Sequence, residues 1–348
     1  MLSNMMPNTT AAASALACTR EAIVAHVGGI VAVAPSERFC LPDFALEMSD
    51  SIEHPRTRRG VLHAKHVLGE HRIQAFRNVK GMRECPERNA LYKAIQDCIS
   101  EEHDLERRLQ TEFVPQHGPQ QFLCPRAFFE SPLFRVGSKS DKRLAHIDFV
   151  LPISAGRTSI SYAGPELRQS DGLVFMTLVQ MLRDVTVGTA ISFPPDAVCR
   201  AVFGRYDGNS RVALRQHIQR LQQGLIIFER FTVQLCSGFD YQKCGRWTVA
   251  LDVHFVDLFR ASPGVWLRRP LRLNLPVGVA TWLYAYVETQ SKLIPMTLTR
   301  LRELCGSQAS DKALENRLRD ALKILSAHSV IDSGWSIRKG KVSWRKPC

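Results

Sequence analysis

LRQHIQRLQQGLII (residues 214–227) and LRDALKILSAHSVI (residues 318–331) lie on one another without a gap. Leu214 falls on Leu318, Arg215 on Arg319, Ile218 on Leu322 and Leu221 on Leu325. In both segments the apolar residues recur every three or four positions, the period of a helix with one buried stripe. Two such segments so far apart predict that a structural unit is duplicated in the chain. What flanks each copy decides what the unit is.

Upstream of the first copy, the spacing predicts a helix from Asp171 to about Arg183, with Ser170 and Asp171 as candidate caps and an apolar stripe through Leu173, Met176 and Val179. Pro194 and Pro195 open a short helix that ends at Gly204. Asn209 or Ser210 then caps the third helix, which stops at Gly224. Leu225–Phe228 and Phe231–Cys236 make a strand pair, joined later by Trp247–Leu251. The same order returns around the second copy. Pro276 opens a helix through Glu288, Thr297 caps a second that ends at Gly306, and Ser310 caps a third that ends near His328. Trp335–Arg338 and Val342–Trp344 form a final strand pair turned on Lys339-Gly340. Three helices and a two-stranded wing, twice, describe an α+β chain of two tandem winged-helix domains.

The boundaries follow from the breaks in pattern. Pro86–Phe113 reads as a helix, with Leu91, Ile95, Cys98, Ile99, Leu105 and Leu109 at helical spacing. Pro115, Gly118 and Pro119 end it. This divides the chain into an N-terminal extension (1–120, partly disordered or helical), a first winged helix (121–262) and a second (263–348). Ile23–Ala34 is apolar enough to pack but carries no clear period. Two expected strands, Ile147–Ile153 and Thr158–Tyr162, exceed a minimal winged helix and make the first domain the candidate for self-association.

Charge narrows the function. The 46 Lys and Arg outnumber the 33 acids, for a net charge of +13, which favours a polyanionic partner. Residues 51–83 alone hold eight Lys/Arg and four His against two acids. No run reaches the roughly 18–20 apolar residues of a membrane helix, and Met1–Ala17 lacks the basic start and long apolar stretch of a signal peptide. The ten cysteines include no CxxC pair, so a reducing cytoplasm with free thiols is expected, without zinc or disulfides.

Chemical constellations are thin. Asp252, His254 and Asp257 lie where a strand enters a short helix, and capping and packing account for them. His63, His66 and His71 do not form the His-hydrophobic-His pair of a nickase, which leaves Tyr92 without a partner as a nucleophile. Cys236, Cys244 and Cys305 lack metal-ligand spacing. The chain has no GxxxxGK[ST] phosphate loop, and GRYDGNS (204–210) lacks its lysine. A non-enzymatic protein without cofactor or metal is the expectation.

The third helices carry the candidate chemistry. Opposite Leu314, Leu318, Ala321 and Leu325 lies a narrow stripe of Lys312, Asn316, Arg319 and Lys323. The first copy collects Arg215, Gln216, Gln219, Arg220 and Gln223 on its outward sector, with Arg211 at the edge. Arg can fork onto guanine O6/N7, and Asn or Gln can pair bidentately with adenine. Lys serves phosphates, which position a helix without reading sequence. Lys339 and Lys341, with Arg338, Arg345 and Lys346, make the C-terminal wing a further backbone contact.

From about Pro125 to Ile331 the chain resembles the TrfA family of plasmid replication initiators. The matching pieces are RAFFESPLF (126–134), ISYAGPELRQSDGLVFMTLVQMLRD (160–184), FPPDAVCRAVFGRYDGNSRVALRQHIQRL (193–221), WTVALDVHFVDLF (247–259), and LRELCGS through LRDALKIL (301–325). The resemblance covers about 200 of the 348 residues and rests on the order and spacing of the pieces. It implies binding to repeated sites (iterons) in a plasmid origin, opening of an adjacent AT-rich segment, recruitment of a host initiator and replicative helicase, and a monomer–dimer equilibrium. The reading from another class is a winged-helix transcriptional regulator, with residues 1–120 as a sensor or dimer module.

Overall fold

The computed structural model describes residues 56–80, 82–137, 141–151, 160–228, 230–241 and 245–347. The apolar piece at 23–34, the strand ends expected within 152–159, and Cys244 lie outside them.

Among the described residues, two long antiparallel helices come first, α1 (Arg58–Val79) and α2 (Pro86–Thr111). The second was legible from its period. The first lies in the basic segment, where only Val61, Ala64 and Val79 mark a buried apolar edge. Thr57 caps α1 by accepting from the Gly60 N–H at 3.0 Å, and Pro86 starts α2 where its missing N–H costs nothing. Ion pairs Lys65–Glu106 and Arg72–Glu102 cross the hairpin. Its base is tied to the body: Arg58 N donates to Asp184 O at 2.8 Å, and Thr186 N to Arg56 O at 3.2 Å. The Arg58 guanidinium lies 5.0 Å from the centre of the buried Phe113 ring.

The first winged helix runs through β6 (Ile191–Phe193) and β10 (Trp247–Ala250), with β9 (Gly238–Tyr241) completing a sheet of order β6-β10-β9. Its helices are α3 (Gln169–Met181), α4 (Pro195–Phe203) and α5 (Gly208–Gln223). The second repeats it: β12 (Met296–Thr297), β14 (Lys341–Ser343) and β13 (Ser336–Arg338) in order β12-β14-β13, with α8 (Val279–Thr289), α9 (Leu298–Cys305) and α10 (Asp311–Ala327). In both, the turn between second and third helix starts on a left-handed glycine, Gly204 (φ 70°) and Gly306 (φ 62°).

Several expectations need correction. β7 (Leu225–Ile227) and β8 (Thr232–Gln234) pair with each other, but not with Trp247 onward. They extend a separate four-stranded sheet, β3-β4-β7-β8, with β3 (Ile147–Leu151) and β4 (Ile160–Gly164). The wing partner of β10 is β9, whose four residues GFDY alternate over too short a span to announce a strand. Aromatic packing places it: Trp247 meets Phe193 and Phe239 edge-on at 6.4 and 5.5 Å. The caps also move. Asp207, rather than Asn209 or Ser210, caps α5, accepting from Ser210 N at 2.7 Å while the Ser210 hydroxyl accepts from Asp207 N at 2.8 Å. The helix expected from Pro276 begins at Val279, after Gly278 at φ 135°. Thr297 and Ser310 cap α9 and α10 as the sequence suggests.

The two units share one apolar core. β1 (Gln121–Pro125) pairs antiparallel with β11 (Gly264–Arg268), so a strand from each side of residue 262 forms one ladder. A short helix, α6 (Phe255–Ala261), precedes β11, and another, α7 (Arg269–Asn274), follows it. The short strand β2 (Phe134–Arg135) faces the second helix-turn-helix: Val136 N donates to Cys305 O at 2.8 Å and Arg135 Nε to Gly306 O at 3.1 Å. A Cβ on Gly306 would sit 2.8 Å from that Arg135 nitrogen. Residue 306 therefore needs glycine both for its left-handed backbone and for the close approach of the other unit.

Candidate nucleic-acid interface

Helix α5 is held at its back by one carboxylate. Asp171, at the start of α3, is fully buried and accepts from Arg168 N at 2.7 Å, Arg143 Nη1 at 2.8 Å and Arg220 Nε at 2.8 Å, with His217 Nδ1 at 2.7 Å. Burial alone would raise its pKa. The His217 hydrogen bond and charge, with the charges of Arg220 and Arg143, outweigh burial and hold the carboxyl well below the usual carboxylate range. Sequence reasoning offered Ser170 and Asp171 as caps of α3, whereas the N-cap is Arg168 with Asp171 in the first turn, and it missed the long-range role of Asp171, because its α5 partners are 46 and 49 residues away.

This arrangement revises the expected reader set on α5. Arg220 turns inward, its Nε donating to Asp171 Oδ1, with 19% of its side chain exposed. Arg211 and Arg215 lean onto the wing, their guanidinium carbons 5.8 Å from the Trp247 ring centre and 5.2 Å from that of Tyr241. Arg215 Nε is buried there without a hydrogen-bond partner among the described residues. The side opposite Leu214, Ile218 and Leu221 carries Asn209, Val212, Gln216, Gln219 and Gln223. Gln216 and Gln223 are exposed and Gln219 half-buried. Val212, overlooked in the sequence because its type suggests a core position, is 46% exposed.

Helix α10 keeps its stripe together. Lys312, Asn316 and Lys323 are exposed, and Arg319 is half-buried, donating to Glu315 Oε1 at 2.5 Å one turn back. Asp320 is also exposed, at the stripe's margin. The wing turn has two left-handed residues, Lys339 (φ 47°) and Gly340 (φ 70°), the requirement of a type I′ hairpin. It leaves Arg338, Lys339 and Lys341 exposed.

The set-aside constellations have structural partners. Asp252 accepts from Gln234 N at 3.1 Å and His254 N at 2.9 Å, while Asp257 pairs with Arg260. The N-cap of α6 is His254, whose N–H donates to Asp252. Burial raises the Cys236 thiol to about 12 and the Cys305 thiol to about 11. No group of three or more His, Cys, Asp or Glu with metal-binding geometry occurs among the described residues, and none of their helices is long and apolar enough to cross a membrane.

No family model and no curated protein matches the chain. Among solved structures it is similar to domains 2 and 3 of RctB. A crystal structure of their selenomethionine derivatives is 13% identical with a TM-score of 0.41, over 63% of this chain and 96% of that one. A second structure of RctB domains 2–3 is 13% identical with a TM-score of 0.40, over 64% of this chain and 97% of that one.

Proposed function

We propose that this chain is a sequence-specific, double-stranded-DNA-binding replication initiator that acts on repeated origin sites and is not an enzyme. The observation that carries the DNA-binding part is the duplicated helix-turn-helix. Each third helix has its apolar side buried and an outward side of Gln, Asn, Arg or Lys, beside a wing. That is the equipment for a major groove: amides and guanidinium for base edges, Lys and a wing for phosphates. Replication, rather than transcription, is supported by the resemblance to TrfA-type initiators across residues 125–331. From the same source come a plasmid origin with iterons, a host initiator and replicative helicase as partners, a monomer–dimer equilibrium and a cytoplasmic site of action.

The mechanism follows from the shared core. Two readers joined by a common ladder and core meet DNA as one body, so neither adjusts independently to the spacing of its half-site. Mismatch between protein and duplex geometry is then met by deforming the DNA, most cheaply at flexible steps. Opening of an AT-rich neighbour would draw on that binding energy. Footprinting on the noncoding DNA of the parent replicon tests the proposal. Direct repeats, each protected over about two helical turns without two-fold symmetry, are expected. Protection of a single palindrome by a protein dimer would favour the regulator and overturn the initiator.

A further inference from the structure

The geometry points to a chemical division of the DNA site: helix α5 reads A·T base pairs, with Val212 against a thymine methyl and Gln216 and Gln219 on adenine. This rests on the DNA-binding reading above and goes beyond it by naming the bases. The ground for it is where the charges of α5 are. The helix contains no acid, and its three arginines are all off the outward centre. Arg220 is bonded to Asp171 on one flank, while Arg211 and Arg215 lie over the Trp247 and Tyr241 rings on the other. The centre is therefore uncharged.

Its chemistry is selective. A glutamine amide presents a donor and an acceptor side by side, matching N7 and N6 of adenine and not the paired acceptors of guanine. A guanidinium would favour guanine, but no arginine points outward from this stripe. Val212 adds an apolar contact at 46% exposure. It contributes nothing to the core and is a poorer helix former than its neighbours Arg211 and Ala213. The thymine C5-methyl is the one apolar group that a base pair displays in the major groove. On α10, Asn316 takes the place of Val212 in the repeat and Lys323 that of Gln219. Arg319, oriented by Glu315, remains half-exposed there for a guanine. One half of the site is thus A·T and the other holds a G·C pair.

The test uses the full chain and a randomised duplex pool, followed by base-analogue substitution. Selection by the wild type should return a bipartite site. Selection by Val212→Ala and Gln216→Ala should relax positions in the A·T half only, and by Asn316→Ala in the other half. Replacing one thymine of the A·T half with deoxyuridine, which lacks the methyl, should weaken wild-type binding about fourfold, the worth of one buried methyl. The same replacement should leave Val212→Ala unaffected. All three side chains are exposed, so these variants are expected to melt with the wild type, which a thermal scan checks. Relaxation of a G·C-rich half by the α5 variants, or equal deoxyuridine penalties for wild type and Val212→Ala at every thymine, would overturn the inference while leaving DNA binding intact. No enrichment from the pool by the wild type would remove the DNA-binding reading and this inference with it.

Discussion

Replacing Asp171 by alanine should be among the most damaging single changes to the first winged helix, and its size can be worked from its partners. The carboxylate has no exposure and faces three cationic or potentially cationic side chains. Removing one partner from a buried pair costs about 3–5 kcal/mol, chiefly because the other charge is stranded. Arg143 and Arg220 retain 29% and 19% of their side-chain exposure and can turn partly toward water, whereas His217 at 9% cannot. The lower end, about 3 kcal/mol, is therefore expected. With an m value near 3 kcal/mol/M for a chain of this size, the urea midpoint should fall by about 1 M. Asp171→Asn keeps an acceptor of the same shape and should fall between. The pH dependence has a definite sign. Because the folded carboxyl titrates below its unfolded value, its stabilisation is fully present above the ordinary carboxylate range, near pH ~4, and is lost as pH falls through the folded pKa. Urea melts of the wild type and Asp171→Asn, followed by tryptophan fluorescence, should converge as the pH drops below ~4. A midpoint change under about 0.3 M for Asp171→Ala at neutral pH would refute the account of Asp171 as the anchor of α5.

Other outcomes separate support from reading. Arg220→Ala should lower stability by about 1–3 kcal/mol in the same melt, as expected for losing a hydrogen bond to a charged group, whereas Gln216→Ala should leave the melt unchanged and alter base preference. Arg319→Ala should cost about 1–3 kcal/mol at the specific site and relax one or two base positions, while Lys339→Ala weakens all sequences alike and reduces the salt slope by about one. Identical sequence profiles for the two variants would count against that division. A chain beginning at Phe113 should keep its sequence preference and lose affinity at low salt, because phosphate attraction by the basic helix α1 is screened more than base contacts are. Starting at residue 121 instead should also destabilise, since Phe113 and Val114 are buried. Competition binding across a salt series reads the first outcome and melting the second.

Local signals were enough for much of the architecture. The 3.6-residue period of 214–225 and 314–325, the glycines at 204 and 306, and the caps Thr297 and Ser310 act over a few residues, so a single sequence displays them. The stripe of α10 was legible for the same reason, since a helix face depends only on spacing. What escaped depends on pairing and packing with other elements. Strand β9 is defined by pairing with Trp247–Ala250 and by aromatic packing, and the four residues GFDY are too few to announce it alone. Helix α1 is basic on most of its surface, and its ion-pair partners Glu102 and Glu106 come from α2. The same limit applies to the candidate site. Spacing put Arg220 on the outward sector of α5, but a buried carboxylate on another helix draws it inward, and two rings of the wing turn Arg211 and Arg215 aside. The sequence alone determined which faces exist; only the tertiary structure decided which side chains remain free to use them, because a long cationic side chain goes where the nearest buried charge or ring lowers its energy most.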